Sequence, residues 1–265
     1  MSASRRALLG AALGAPCFGA AAAAAAADPF EDDPFQSSAW PDMKREFLGR
    51  ESRVVFDDRV TVLGPGFAED PMNVPISVRV RGLDGVEQLS VLVDRNPIRK
   101  VLDYFPRVAL PGLAFRFKLE QTSPVRAAAR TTDGVWHVGG TRVESNGGGC
   151  TVAGVTRRDG SWSETLGQAS ARLFPSSPVL GDAAARLRLR VMHPMDTGLV
   201  AGIPAFYLNQ LSLQDADGRE LARLASFEPV SENPVFSFDF ATAPRGPLAI
   251  VGSDNNGNRI RLEVR

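Results

Sequence analysis

One short stretch of this chain could carry chemistry. Residues 145–154 read SNGGGCTVAG, so Cys150 follows directly on Gly147, Gly148 and Gly149. A structural cysteine is ordinarily held among apolar side chains, whereas a triple glycine supplies none and leaves the backbone unusually free. The spacing therefore predicts a presented thiol on a flexible arm formed by Gly147, Gly148 and Gly149. A thiolate can form reversible persulfide or thiosulfonate-type adducts. Cys150 is thus the candidate attachment point for a covalent cargo, with any catalysis left to partner enzymes. The competing reading is a surface loop whose cysteine is incidental.

Other chemistries find little support. The sequence holds two histidines, His137 and His193, and no spacing that gathers metal ligands. Each histidine is expected in a local hydrogen-bonding role. There is no GxSxG elbow, and neither Gly139-Gly140 nor the Gly147 cluster has the strand-to-helix setting of a phosphate cradle. A cysteine hydrolase needs a base held rigidly beside its nucleophile, and a glycine run is a poor foundation for that. No catalytic residue, metal or cofactor is expected.

The N-terminus reads Ser4-Arg5-Arg6-Ala7-Leu8-Leu9-Gly10 followed by a small, alanine-rich apolar run. Paired arginines ahead of a short hydrophobic region predict a twin-arginine export signal over 1–27 and hence a periplasmic protein. The run is short, carries Gly10 and Gly14, and meets acidic Asp28, so stable membrane insertion is not expected. Cys17 is a poor lipid acceptor because Pro16 precedes it. Removing the signal leaves Cys150 as the sole cysteine, which excludes an internal disulfide. The 30 basic and 30 acidic residues balance, and no basic stripe of the size a nucleic acid needs stands out.

The elements that must position Cys150 read mostly as strands. Ser37 or Ser38 could cap a short amphipathic helix carrying Trp40, Met43, Phe47 and Leu48. From Arg53 the period becomes two. Val60 and Val62 alternate with Arg59 and Thr61, Ile76, Val78 and Val80 with Ser77, Arg79 and Arg81, and Phe115, Phe117 and Leu119 with Arg116, Lys118 and Glu120. Turn formers separate these runs. The alternation resumes at Ala185-Arg186-Leu187-Arg188-Leu189-Arg190-Val191 and ends with a hairpin signal at Asn256-Gly257. The expectation is an all-β protein of two immunoglobulin-like antiparallel β-sandwich domains with one short N-terminal helix. Its divisions are 1–27 signal, 28–50 N-terminal segment, 51–150 first sandwich ending in the GGGC arm, 151–182 linker without sustained periodicity, and 183–265 second sandwich.

An export signal, a sandwich ending in a glycine-flanked cysteine, and a second sandwich bearing His193-Pro194-Met195-Asp196-Thr197-Gly198 and Ser231-Glu232-Asn233-Pro234 together resemble the SoxYZ sulfur carrier with both subunits in one chain. Residues 45–150 look like SoxY and 183–265 like SoxZ. The resemblance implies that Cys150 holds a sulfur substrate covalently during periplasmic thiosulfate oxidation, that sulfur-oxidation enzymes are its partners, and that the SoxZ-like part packs on the SoxY-like part without catalytic residues. Under it His193 and its neighbours belong to a structural turn or a partner surface. In that family the cysteine lies near a free C-terminus within a GGCGG ending. Here Thr151 and Val152 follow and both ends of the arm are held. A flexible linker over 151–182 would span on the order of 30 Å, enough for partial mobility.

Fused chains of this kind also resemble carriers associated with periplasmic quinoprotein dehydrogenases. This keeps open a non-catalytic accessory protein that docks on such a dehydrogenase without covalent cargo. Its docking determinants would include Arg186, Arg188 and Arg190, which otherwise read as a solvated strand face. Dimerisation through a Cys150 disulfide is a third possibility.

Overall fold

The structure is a computed structural model describing residues 30–175 and 183–264. The export-signal reading over 1–27, and residues 176–182 of the expected linker, lie outside the described residues.

The protein is all-β, built on two sheets. The larger has the strand order β1 (Val54–Phe56), β9 (Trp136–Ser145), β8 (Ser123–Thr131), β5 (Val86–Val93), β6 (Lys100–Pro106), β13 (Glu220–Ser226), β12 (Leu208–Gln214), β15 (Leu248–Asp254) and β16 (Arg259–Val264), with β3 (Phe67–Ala68) added beside β9. The smaller runs β10 (Ala169–Pro175), β11 (Ala185–Val191), β14 (Val235–Phe240), β7 (Gly112–Phe117), β4 (Val74–Val80) and β2 (Val60–Leu63). Most ladders are antiparallel; β1 and β3 join β9 in parallel.

Each half of the chain contributes an immunoglobulin-like sandwich, and the halves share both sheets. In the larger sheet β6 pairs with β13, Tyr104 opposite Leu224. In the smaller, β7 pairs with β14, Ala114 opposite Ser237 and Leu113 opposite Phe238. Ladder hydrogen bonds thus cross the junction twice. The core is correspondingly continuous: Val78, Val91, Phe115 and Phe117 of the first half belong to one buried cluster with Leu187, Leu211, Phe236, Phe238 and Ile250 of the second. The alternation read from the sequence is what makes this possible, because each strand turns one face inward.

The N-terminal helix forms as α1 (Trp40–Met43) and continues as a π turn over Lys44–Leu48. Its N-cap is Ala39, not Ser37 or Ser38, and no side chain caps it. Trp40, Met43 and Leu48 pack with Leu92, Ala128, Trp136 and Val138 on the outside of the larger sheet. The segment is tied down by Arg126, fully buried in β8, which donates to both carboxylate oxygens of Asp33 (2.6 and 2.8 Å) and both of Asp94 (2.8 Å each). Phe35 and Trp40 lie against the guanidinium at 4.9 and 4.5 Å. Burial alone would raise the Asp33 carboxyl, but Arg126 and the N–H groups of Ser37 and Phe35 hold it below its ordinary value.

The segment expected as a linker differs from its sequence reading. Two further short helices, α2 (Val155–Asp159) and α3 (Trp162–Thr165), precede β10, which pairs along its whole length with β11. Helices of four or five residues are too short to establish a period.

Candidate functional site

Cys150 is not presented: it is completely buried. This corrects both the exposed thiol and the flexible arm expected of Gly147, Gly148 and Gly149. The glycines serve close approach. A Cβ on Gly149 would lie 2.4 Å from the Pro71 carbonyl oxygen and 2.5 Å from that of Leu119, so only glycine lets the strand-to-loop backbone pass there. Gly147 and Gly148 adopt φ of 95° and 86°, which other residues resist.

The loop is pinned on both sides. The Cys150 N–H donates to Glu120 Oε2 at 2.8 Å, and the Thr151 hydroxyl donates to Oε1 of the same carboxylate at 2.9 Å. From the second half, the Thr197 hydroxyl donates to the Cys150 carbonyl at 2.6 Å. The thiol itself points at the Lys118 carbonyl, 3.6 Å away. That carbonyl also accepts from the Asn96 amide nitrogen at 2.7 Å, and Asn96 Oδ1 accepts the Glu120 N–H at 2.8 Å.

Lys118 departs from its sequence reading. Strand alternation places it toward water, yet it is 3% exposed, because the His193–Gly198 turn covers it and its ammonium donates to the Met195 carbonyl. Burial lowers its pKa to about 8, against the opposing charges of Asp196 and Glu232. Burial likewise pushes the Cys150 thiol up to about 12, Glu120 adding to the rise and Lys118 countering it. In this state the sulfur is a neutral thiol across the physiological range, and it is a poor nucleophile. A Cys150 disulfide between two chains, which presumed an exposed thiol, has no accessible sulfur to form from in this arrangement.

The two motifs singled out in the second half form the wall around this loop. His193 and Asn233 bond reciprocally: the Asn233 N–H donates to the His193 carbonyl at 2.8 Å, and the His193 N–H donates to Asn233 Oδ1 at 3.1 Å. His193 Nδ1 accepts the Met195 N–H at 3.1 Å, which leaves the proton on Nε2. Nε2 lies 3.5 Å from Asp254 Oδ2 without hydrogen-bond geometry. Burial depresses the imidazole to about 4 despite the Asp254 and Asp196 charges. His193 is thus a neutral, structural residue packed against Phe206, with ring centroids 4.5 Å apart and the planes tilted by 55°. His137 also has a local role, with Nδ1 2.7 Å from Asp57 Oδ2.

Sequence reasoning missed the residues that join the connecting segment to this wall. Arg157 of α2 pairs with Asp196 and lies 4.0 Å over the Trp162 ring. The Thr156 N–H donates to Glu232 Oε1 at 3.0 Å. Gly154 has its own close approach, since a Cβ there would fall 1.8 Å from Glu232 Oε2. The only signal for these was the presence of Asp196 and Glu232 inside the two motifs.

Residues 44–150 match the family model for "Sulfur oxidation protein SoxY", and residues 175–265 match that for "Sulphur oxidation protein SoxZ". One polypeptide thus matches the SoxY model over its first part and the SoxZ model over its second. The SoxY match ends on Cys150. The SoxZ match opens at 175, earlier than the boundary at 183 read from the sequence, and the pinning helices α2 and α3 fall between the two. The junction described above therefore lies between the SoxY-matched and the SoxZ-matched parts, with both sheets running through it. A solved structure of the sulfur carrier protein SoxY from Chlorobium limicola f thiosulfatophilum is similar at 18% identity over 41% of this chain and 97% of that one, with a TM-score of 0.36. No curated protein matches the chain.

Among the described residues, no group of three or more His, Cys, Asp or Glu side chains is placed to hold a metal, and no helix is long and apolar enough to cross a membrane.

Proposed function

We propose that this chain is a non-catalytic covalent carrier in sulfur oxidation, exported to the periplasm through its twin-arginine segment, with Cys150 Sγ as the attachment atom. The observation that carries the proposal is the end of the SoxY match on the one cysteine of the described residues, in a chain that also holds SoxZ. Sulfur-oxidation enzymes are its partners and carry out the chemistry. Joining the Cys150 thiol to the terminal, thiolate-level sulfur of an anion such as thiosulfate forms one S–S bond, releases the thiol proton and removes two electrons, so the partner that loads Cys150 must also accept those two electrons.

The buried loop is then the closed state of the carrier. Loading requires the Thr197 and Glu120 contacts to part, each worth roughly 1–3 kcal/mol, after which the thiol regains an ordinary pKa and Lys118 lies nearby as a countercharge. The Cys150→Ser variant is expected to fold and melt like the parent while losing all covalent loading. Normal pathway function in that variant would reject the carrier role.

A second reading takes the burial of the thiol as permanent: an accessory protein that carries no cargo and would dock on a periplasmic quinoprotein dehydrogenase. Under it the serine variant retains full function.

A further inference from the structure

The outer face of the six-stranded sheet carries an arrangement that the Cys150 site does not use. The ladder registers align Arg172 of β10 with Arg188 of β11, then Ser237 of β14, Ala114 of β7, Ser77 of β4 and Leu63 of β2. A parallel row places Arg190 beside Val235, with Arg116 and Pro75 beyond. Arg116, Arg172, Arg188 and Arg190 are all exposed. No described carboxylate lies within ion-pairing reach of any of these four, and of the sequence's stripe only Arg186 is neutralised, by two hydrogen bonds to Asp239.

Two features set this face apart from an ordinary solvated strand. Arg172 and Arg188 are direct cross-strand neighbours, a like-charge placement that costs folding free energy. Between the arginines, small side chains at Ala114, Ser77 and Ser237 leave a trough of about 660 Å³, walled by Leu63, Phe174 and Pro175. Five strand spacings separate β10 from β2, so the face is about 24 Å wide, broader than a small anion requires. It also spans both halves of the chain, β10, β11 and β14 on one side and β7, β4 and β2 on the other.

We propose that this face is a docking surface for the acidic surface of a partner protein, with carboxylates meeting Arg116, Arg172, Arg188 and Arg190 and an apolar side chain entering the trough. Complementary charge supplies the recognition and speeds encounter, and the repulsion between Arg172 and Arg188 is relieved only in the complex. The surface does not depend on what Cys150 carries.

The test uses the full mature chain and a synthetic peptide of glutamate and phenylalanine residues as probe, titrated at low and at physiological salt. Binding is expected to weaken with salt and to fall at least tenfold in the Arg172→Glu/Arg188→Glu/Arg190→Glu variant, while Arg130→Glu/Arg261→Glu, on the other sheet, binds like the parent. The milder Arg172→Gln variant is expected to raise the melting temperature while weakening peptide binding, which keeps the test valid if the triple variant misfolds. Unchanged binding in the Arg172→Gln and triple variants would overturn the proposal. So would phosphatidylglycerol vesicles binding through these arginines where the peptide does not, which would reassign the face to a membrane.

Discussion

The Thr197 hydroxyl bonds to the carbonyl oxygen of Cys150 at 2.6 Å, so a turn of the SoxZ-matched part holds the residue on which the SoxY match ends. Together with the Glu120 carboxylate on the Cys150 and Thr151 side, this contact makes thiol exposure an opening reaction. Thr197→Val removes the donor while keeping the shape. A lost hydrogen bond of about 1.4 kcal/mol corresponds to a factor of ten, so native-state alkylation of Cys150 should speed up roughly tenfold. Mass-spectrometric labelling kinetics measure this, and an unchanged rate would show that the contact does not limit opening.

Gly149 tests the nature of the glycine run. If it provides mobility, alanine costs little. If it provides passage past the Pro71 and Leu119 backbone, Gly149→Ala must displace the loop, with a stability loss of roughly 1–3 kcal/mol and faster labelling of Cys150. Urea unfolding and thiol labelling of the same variant should therefore change together.

His193 makes the stability pH-dependent. Its folded pKa is near 4 against an ordinary 6.5, so the unfolded chain binds a proton between these values that the folded chain does not. Stability from this group is full above about 6.5 and is lost as pH falls toward 4, by roughly 3 kcal/mol in total. In His193→Asn, the difference in urea midpoint between pH 7 and pH 4.5 should shrink relative to the parent. An identical pH dependence would contradict the assignment of a neutral buried imidazole.

Arg126 should matter for the N-terminal segment. Replacing it with Met leaves the Asp33 and Asp94 carboxylates buried without their countercharge, at a cost of about 3–5 kcal/mol. Urea unfolding should show this loss, and limited proteolysis should cleave near residue 35 much earlier than in the parent.

The strands were legible because their alternation reports directly on a two-layer β protein: Val60, Ile76, Phe115, Leu187 and Leu189 all turn inward as the period predicts. Cys150 was legible as a candidate as well, since a cysteine behind three glycines stands out. Its environment was not. Glycine flanking a thiol signals either mobility or close backbone approach, and only the positions of Pro71 and Leu119 distinguish them. Lys118 illustrates the same limit, for strand periodicity assigned it to water while a turn nearly 80 residues away covers it. The shared sheets were hidden for a related reason, because nothing in the sequence of β6 or β7 specifies that its neighbour comes from the other domain.

The central claim is that Cys150 carries a sulfur cargo. The most direct measurement is the intact mass of the protein isolated from its native compartment without reductant, compared with a reduced sample, followed by peptide mapping. The account predicts added mass in units of sulfur, or of sulfur and oxygen, that maps to the Cys150 peptide and disappears on reduction. A free, unmodified thiol while the pathway is running would contradict it.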